Sequence, residues 1–507
     1  MPFLNTFINW VIKKRVHQIE LFMEYPHEVQ RDVFNRLISD AKNTEFGKKH
    51  QFKSINSYKE FQQQVPISTY EELFPYIERM MRGEQNVLWP TYINWFAKSS
   101  GTTNAKSKFI PVSQEALDES HFSGGKDLLA FYVNNNPDSL IFTGKVLSIG
   151  GSHQKNSLAP DLDSYFGDVS AVIMQNMPLW AKYVRTPSEE VALLDSWEEK
   201  LEKIAQETQD ENVTSMTGVP TWALLVLKRI MDLKGAANIL EVWPNLEVFF
   251  HGAVAFGPYR KVFQDIIPNN NMSYIDAYNA SEGFFGIQDS PKNDDMLLML
   301  DYGIFYEFIP MSSSGLSASE PIPLWEVEAG KIYAMVISTN AGLWRYNIGD
   351  TIRFTSTKPY RIKISGRTKH FINAFGEELV IENAEEAIAK ACDKTGAKIE
   401  NFTAGPIYLE KNKRGGHEWI IEFANAPEDL KEFATLLDKN LQELNSDYEA
   451  KRQNDLALVL PKIYPVPGGT FYKWMKTRNK LGGQNKVPRL SNDRSHIESI
   501  LGLLAEN

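Results

Sequence analysis

Apolar positions recur with a helical period through the first ninety residues. Val33, Phe34, Leu37 and Ile38 fall on one face of segment 31–41, and segment 70–81 repeats the pattern. The apolar positions among residues 3–11 have the same spacing. This part of the chain is therefore predicted to consist of helices joined by loops.

From about residue 140, short apolar runs alternate with segments of helical periodicity. The runs end in glycine or polar residues, which is typical of buried strands. They cover residues 146–151, 169–174 and 246–252, and the helical segments cover residues 193–206 and 221–233. Alternation of buried strands and helices predicts an α/β fold with a largely parallel sheet.

The pattern of apolar and polar positions changes twice more along the chain. Strand-like runs at 302–309, 331–338 and 361–364 predict a β-rich subdomain, either a small barrel or a second sheet. Beyond residue 366 the pattern predicts a compact α+β unit, with helices at 382–392 and 430–448 and strands at 407–410 and 419–423. We expect a large N-terminal domain, residues 1–365, and a small mobile C-terminal domain, residues 366–507.

Composition excludes several classes of protein. A hydrophobic content of 43% with 23% charged residues is ordinary for a folded chain, and a net charge of -10 disfavours general nucleic-acid binding. The single cysteine, Cys392, excludes an intrachain disulfide and is predicted to pack as a small apolar side chain. No apolar run reaches the roughly 18 residues of a membrane span, and the N-terminus does not resemble a secretory signal. A cytoplasmic location is expected.

The first segment with chemical potential is Ser99-Ser-Gly-Thr-Thr-Asn-Ala-Lys-Ser-Lys108. Backbone amides, hydroxyls and a lysine can together surround phosphate oxygens. The spacing differs from the Walker pattern, because there is one glycine and the lysines come later. A solvated turn is the alternative interpretation.

Two further segments follow predicted strands. Asp276-Ala-Tyr-Asn-Ala-Ser-Glu-Gly283 places an aromatic ring and a carboxylate where they could stack on a base and hold a metal. The alternative is a polar turn with a packed tyrosine. In Gly342-Leu-Trp-Arg-Tyr-Asn-Ile-Gly-Asp350, the carboxylate of Asp350 could accept hydrogen bonds from a ribose diol. Arg345 could bind a phosphate or carboxylate, or simply pair with a structural acid.

The last two segments are basic and contain glycine. Ile364-Ser-Gly-Arg-Thr-Lys-His-Phe-Ile-Asn373 lies at the predicted domain boundary, where Gly366 supplies backbone freedom. Leu481-Gly-Gly-Gln-Asn-Lys-Val-Pro-Arg489 lies near the C-terminus, and a flexible surface loop is its simplest interpretation.

In this order, the five segments resemble the acyl-adenylating enzymes, and most of all the Gretchen Hagen family of acyl acid amido synthetases. The matching motifs are Ser-Ser-Gly-Thr at 99–102, Tyr-x-x-Ser-Glu at 278–282, the Arg-Tyr-x-x-Gly-Asp segment ending at Asp350, and Gln-x-Lys-x-Pro-Arg at 484–489. The chain departs from the family at Ala105, where a glycine is common, and at Asn279 and Ala280. The resemblance extends from about residue 95 to the end.

The resemblance implies residue roles as well as a reaction. A carboxylic acid would react with ATP to give an acyl-adenylate and pyrophosphate, and an amine, expected to be an amino acid, would then take the acyl group. Lys486, Glu282 and Arg367 would be catalytic, with Glu282 also holding Mg²⁺, and Lys369 would belong to the hinge. The implied ATP site comprises Ser99, Ser100, Gly101, Thr102, Thr103, Lys106, Gly252, Ala253, Tyr278, Asn279, Ala280, Ser281, Arg345 and Asp350.

The remaining predictions are less specific. Four apolar residues are candidates for the acyl pocket, although plain core packing would explain them equally: Val219, Pro220, Trp222 and Phe256. The alternatives to an amido synthetase are an acyl-CoA ligase, which shares the adenylation step, and a degenerate homologue that only binds nucleotide. We expect a monomer with small-molecule substrates, and neither a nucleic-acid partner nor a membrane span.

Overall fold

The structure is a computed structural model of the 507-residue chain. It describes residues 14–99, 108–194, 196–253, 256–312, 315–316, 320–367, 371–372, 377, 379–407, 415–445, 448–449, 452, 458–478, 480–481, 486–491 and 494–505. Within this part of the chain, every helix is too short or too polar to cross a bilayer.

The chain divides into two compact units that do not follow a single cut in the sequence. Unit 1 comprises Met1–Gly218, Trp243–Ala253 and Asn271–Lys363. Unit 2 comprises Val219–Val242, Val254–Asn270 and Ile364–Asn507. The last division lies close to the boundary predicted near Gly366. Unit 2 also contains two earlier segments, which the prediction placed in the N-terminal domain.

The main sheet of unit 1 is mixed. Its strands follow the order β13-β12-β15-β16-β17-β11-β10-β9-β8-β7-β3-β6, and β14 pairs with β12. Strands β6, β3, β7, β8 and β9 pair in parallel, and the pairs described from β9 through β12 are antiparallel. The strands are β3 (Lys145–Ser148), β6 (Arg185–Thr186), β7 (Val213–Gly218), β8 (Val248–Gly252), β9 (Ser273–Ala280), β10 (Gly283–Ile287), β11 (Met296–Leu298), β12 (Ile304–Ser312), β13 (Gly315–Leu316), β14 (Ile322–Pro323), β15 (Ile332–Thr339), β16 (Tyr346–Thr357) and β17 (Tyr360–Arg367).

A smaller sheet and a set of helices complete unit 1. The sheet has the order β2-β1-β5-β4, formed by β1 (Trp95–Ser99), β2 (Lys108–Val112), β4 (His153–Lys155) and β5 (Tyr165–Gly167). Helix Tyr70–Met81 begins at a capping box in which Thr69 and Glu72 satisfy each other's backbone amides. The other helices are Pro26–Ala41, Glu45–Lys49, Tyr58–Gln64, Gln114–Ala116, Phe122–Asn135, Val169–Gln175, Leu179–Tyr183, Glu189–Ala192 and Trp197–Thr208.

Unit 2 has its own sheet and its own apolar core. β20 (Lys398–Ile407) pairs antiparallel with β21 (Gly416–Asn425), which pairs in parallel with β22 (Lys462–Val466). Two short strands, β18 (Phe371–Ile372) and β19 (Leu379–Val380), form a separate pair. The helices are Pro220–Lys234, Arg260–Ile266, Ile381–Thr395, Leu430–Leu444, Thr470–Thr477 and Ser495–Ala505. Cys392 is buried in this core, as predicted, and burial raises the pKa of its thiol to about 12.

The α/β class with a mixed sheet is confirmed, but two local predictions are wrong. Residues 169–174 form a helix instead of a strand, because a short apolar run has the same pattern in a buried helix. The β-rich segment 299–365 was predicted as a small barrel or a second sheet, whereas its described long strands continue the main sheet. The strand predicted at 407–410 overlaps β20 at Ile407, and its residues 408–410 lie outside the described part of the chain.

Candidate functional site

Strand β9 carries the Tyr-x-x-Ser-Glu motif into a tight turn. Tyr278, Asn279 and Ala280 lie on the strand, and Ala280 pairs with Gly283 across the hairpin. Ser281 and Glu282 are therefore the two residues of the turn. The motif was predicted to form a loop after the strand, whereas its first half continues the sheet.

A hydrogen bond joins this strand to the Gly-Asp motif of β16. The hydroxyl of Tyr278 donates to Oδ2 of Asp350 at 2.5 Å, across 72 residues of sequence. The register of β16 against β15 shifts between Asn347 and Thr351, so Asp350 lies in an irregular stretch where Gly349 has a φ of 84°. Such bulges redirect side chains out of the regular alternation.

Two buried polar side chains are associated with this motif: Ser281 belongs to it, and His121 contacts the half-buried Asn279. Among the described residues, the hydroxyl of Ser281 has no hydrogen-bond partner. Such a group costs free energy unless a ligand or water satisfies it. Asn279 Oδ1 lies 3.1 Å from Nδ1 of His121, and burial lowers the pKa of this histidine to about 4. His121 thus stays neutral at pH 7, and no sequence motif indicated this contact.

The strand β8, which is parallel to β9, ends at Gly252 and is followed by Ala253. Gly252 pairs with Ala277, and a Cβ at position 252 would lie 2.3 Å from the carbonyl oxygen of Ala277. Only glycine allows this close approach of the two strands. Ala253 has a φ of 74°, a conformation that costs a non-glycine residue of the order of 1 kcal/mol.

The predicted phosphate loop lies between β1 and β2. Ser99 is the last residue of β1 and pairs with Lys108, the first residue of β2. Ser100, Gly101, Thr102, Thr103 and Lys106 lie outside the described residues. The ammonium group of Lys108 is 3.3 Å from the hydroxyl of Tyr346. This contact brings the base of the loop to the first residue of β16.

Arg345 is placed in a buried ion pair. Its Nε and Nη2 donate to Glu307 at 2.9–3.1 Å, and its Nη1 donates to the carbonyls of Gln62 and Val65. The arginine is 1% exposed and the glutamate is 0% exposed. These contacts support the structural alternative for Arg345 over phosphate binding.

The remaining predicted residues belong to unit 2 or its border. Val219 and Pro220 form the N-terminus of helix Pro220–Lys234, where proline is favoured because the first amide needs no helical partner. Phe256 packs on Phe263 with ring centroids 5.4 Å apart. Arg367 ends β17, its side chain being outside the description, and Lys369 lies outside the described residues.

Two of these predicted residues meet in one cavity of unit 2. Trp222 and Lys486, which are 264 positions apart in the chain, both line it. Lys486 is exposed, and Trp222 is 8% exposed. The sequence analysis assigned Trp222 to the acyl pocket and Lys486 to catalysis, and it did not predict that both would line the same cavity.

The donors in the hairpin turn suit a hard cation that is bound mainly through phosphates. Among the described residues, no cluster of three or more histidine, cysteine or carboxylate side chains forms a metal cage. Mg²⁺ typically takes one or two carboxylates together with phosphate oxygens and water. Glu282 next to the unsatisfied hydroxyl of Ser281 fits this pattern.

The fold is shared with the solved structures of a CoA ligase and of an acyl acid amido synthetase. The structure of a 2-hydroxyisobutyryl-CoA ligase in complex with 2-HIB-AMP superposes with a TM-score of 0.59 at 11% identity, covering 94% of this chain and 92% of that one. A GH3.15 acyl acid amido synthetase superposes with a TM-score of 0.76 at 16% identity, covering 94% and 93%.

The chain belongs to the GH3 family. The family's N-terminal domain matches residues 15–272, its central domain residues 297–367 and its C-terminal domain residues 382–495. Among its relatives is the indole-3-acetic acid-amido synthetase GH3.3 of Arabidopsis thaliana, which is 23% identical over 91% of this chain and 89% of its own length. The family inferred from the motifs is thereby confirmed.

Proposed function

We propose that the chain is an ATP-dependent acyl acid amido synthetase. In the first half-reaction, a carboxylate oxygen of the acid attacks the α-phosphorus of ATP, and the bond to the bridging oxygen breaks to release pyrophosphate. In the second, an amine nitrogen attacks the acyl carbon, and the carbon–oxygen bond to AMP breaks. Both steps bring charged groups together, so positioning and electrostatic stabilisation account for most of the catalysis.

The observation that carries this proposal is the hydrogen bond between Tyr278 and Asp350. It joins two family motifs that are remote in sequence, and it orients a carboxylate beside the ends of the parallel strands. Ligands of α/β sheets bind at such strand ends. In this arrangement Asp350 accepts hydrogen bonds from the ribose hydroxyls, and the ring of Tyr278 borders the adenine together with Gly252 and Ala253.

The phosphates would be held by the segment after Ser99 and by the hairpin turn. Bound at Glu282, Mg²⁺ supplies positive charge that offsets the phosphate oxygens. Ser281 offers its hydroxyl to a phosphate oxygen or to the water bound there. Lys486 supplies a compact charge for the α-phosphate during adenylation. Arg345 is left out of this site because its donors are engaged by Glu307 and by two backbone carbonyls.

The C-terminal unit is proposed to change position between the two half-reactions, with Arg367 and Lys369 at the hinge. Residues at such a hinge absorb the change in backbone angles. Structures with ATP and with acyl-AMP provide the test. An unchanged angle between the units in the two complexes would contradict the hinge.

A pyrophosphate-release screen over carboxylic acids tests the function. Each acid is supplied with ATP and Mg²⁺, and the products are compared with amino acids, with CoA and with no acceptor. Pyrophosphate release that depends on the acid, followed by amide formation, is expected. Thioester formation without amide would instead identify an acyl-CoA ligase. Release without any acid, or none with every acid tried, would reject the adenylation reaction.

A further inference from the structure

Unit 2 contains a cavity that mixes apolar walls with charged groups. It encloses about 110 Å³, room for several water molecules. Its apolar part comes from one side of helix Pro220–Lys234 and from helix Thr470–Thr477. The charged and amide side chains in its lining are those of Lys228, Glu400, Asn401, Glu422, Lys486 and Arg489.

Two glutamates meet in this lining because β20 carries a bulge. The register against β21 shifts between Ile399 and Asn401, so Glu400 is the extra residue, and Asn401 pairs with Glu422. A bulge turns the extra side chain out of the regular alternation. It places the Glu400 carboxyl within hydrogen-bonding reach of Glu422. Natural strands carry such irregularities most often at edges and next to functional sites.

The Glu422 carboxyl is fixed by the backbone that follows β22. Its Oε1 accepts from the amide of Gly469 at 2.5 Å, and its Oε2 accepts from the amide of Phe471 at 3.0 Å. The residue is 4% exposed. One carboxyl of the pair is therefore held rigidly, at the N-terminus of helix Thr470–Thr477.

The basic residues near the two glutamates contact different partners. Lys228 forms an ion pair with Glu400. Arg489 directs its guanidinium to Tyr259, Asn401 and the carbonyl of Phe402. Burial, followed by the hydrogen bond with Glu400, raises the pKa of Glu422 to about 7 against the opposing effect of the two backbone amides. Two adjacent carboxyls can share a proton, and a bound cation can replace that proton.

We propose that this cavity binds the amine substrate as its ammonium cation, with the Glu400–Glu422 pair as the recognition element. The inference rests on the proposed amido synthetase function and adds a substrate class. The ammonium group lies against the two carboxyls, and an apolar body packs on Leu224, Phe471 and Met475. Amines with an acidic side chain are disfavoured, because that carboxylate would lose its hydration against the apolar residues Leu224, Phe471 and Met475.

The same pair accounts for the first of the two protons that amide formation releases. An ammonium nitrogen has no lone pair, so it must lose a proton before it attacks the acyl carbon. The ionised carboxylate of Glu422 accepts that proton. The neutral amine then forms the carbon–nitrogen bond as the bond to AMP breaks. The nitrogen loses its second proton to solvent, which leaves the neutral amide, and Glu422 returns the first proton to solvent. A base with a pKa near the working pH suits this step.

The test separates the two half-reactions in the full-length enzyme. Glu400→Gln and Glu422→Gln are compared with the control variant Glu418→Gln. Glu418 lies on β21 with Glu422, is 4% exposed like Glu422, and is paired with Arg494. Acid-dependent ATP–pyrophosphate exchange reports adenylation without an amine. We expect exchange within about twofold of wild type in all three variants. We expect a rise of at least tenfold in the amine KM for the two cavity variants only.

The substrate panel consists of leucine, isoamylamine and glutamate. Acceptance of leucine and isoamylamine, with glutamate at least tenfold poorer in kcat/KM, supports the ammonium site. Acceptance of leucine alone also supports it and adds a contact to the substrate carboxylate. In wild type, kcat/KM for the amine should rise as the pH increases through about 7, because Glu422 becomes ionised. In Glu422→Gln this increase of kcat/KM around pH 7 should be absent.

Failure of this inference differs from failure of the proposed function. An unchanged amine KM in both cavity variants, with exchange intact, overturns the amine site and leaves adenylation standing. The amine site is equally overturned if Glu418→Gln raises the amine KM as much as the cavity variants do, or if glutamate is accepted as well as leucine. Absence of acid-dependent exchange in wild type overturns the function itself. If Glu422→Gln does not fold, Glu400→Gln and the substrate panel still decide.

Discussion

The hydrogen bond between Tyr278 and Asp350 gives the sharpest test of the proposed nucleotide site. Tyr278→Phe removes one hydroxyl and keeps the ring, which lies 4.8 Å from Phe285 between ring centroids. Both partners are nearly buried, at 5% and 6% exposure, and the oxygens are 2.5 Å apart. Loss of the hydroxyl therefore changes the orientation of the carboxylate without opening a cavity.

The size of the effect follows from the charge of the acceptor. A hydrogen bond to a charged group contributes about 1.5–3 kcal/mol, and about 1.4 kcal/mol corresponds to a factor of ten in an equilibrium constant. If the lower figure is expressed in ATP binding, the KM for ATP rises about tenfold. The KM for the carboxylic acid should change little, because Asp350 faces the ribose in the proposed complex.

Acid-dependent ATP–pyrophosphate exchange, measured over a range of ATP concentrations, provides the assay. Tyr306→Phe is a matched control, since its buried hydroxyl donates to the carbonyl of Met299 at 3.0 Å. This control should leave the KM for ATP unchanged. A KM for ATP within twofold of wild type in a folded Tyr278→Phe variant would refute the assignment of Asp350 to the nucleotide.

Four further predictions follow from the same contacts. Arg345→Met should destabilise unit 1 by about 3–5 kcal/mol in urea denaturation, because it leaves Glu307 buried without its partner. A raised KM for ATP at unchanged stability would instead indicate that Arg345 binds a phosphate of ATP. Lys486→Ala should abolish acyl-AMP formation and retain ATP binding by calorimetry, and adenylation at the wild-type rate would remove this lysine from catalysis. Glu282→Ala should raise the Mg²⁺ concentration needed for half-maximal ATP–pyrophosphate exchange. An unchanged Mg²⁺ requirement would show that the Glu282 carboxylate has only a structural role in the hairpin turn. Because the folded pKa of Glu422 is raised from 4.5 to about 7, its contribution to stability is complete below pH 4.5 and lost as the pH rises through 7. Wild type should therefore lose up to about 3 kcal/mol between pH 5 and pH 8 in denaturant titrations, and Glu422→Gln should lose less; equal losses would show that this carboxyl is not responsible.

Secondary structure was predictable where periodicity extended over a long segment. Helices Tyr70–Met81 and Pro220–Lys234 lie within a residue of their predicted bounds, since several turns of one-sided apolar spacing leave little ambiguity. The run at 169–174 was assigned wrongly because it contains too few residues to separate a period of two from a period of 3.6. Local pattern is therefore informative in proportion to its length.

The functional prediction had a similar limit. Motif order was sufficient for the family, because the motifs combine residue type with spacing. It was insufficient for Arg345, whose partner Glu307 is 38 positions away and belongs to no motif. The sequence does not distinguish a charged motif residue that faces a ligand from one that is buried in the core.

By itself, the sequence determined the α/β class and the family. These properties depend on local periodicity and on short ordered motifs. Tertiary structure alone decided that Asp350 meets Tyr278, that Arg345 is buried against Glu307, and that a bulge brings Glu400 to Glu422. Each of these contacts depends on strand register and burial, and both are set by packing between segments that are distant along the chain.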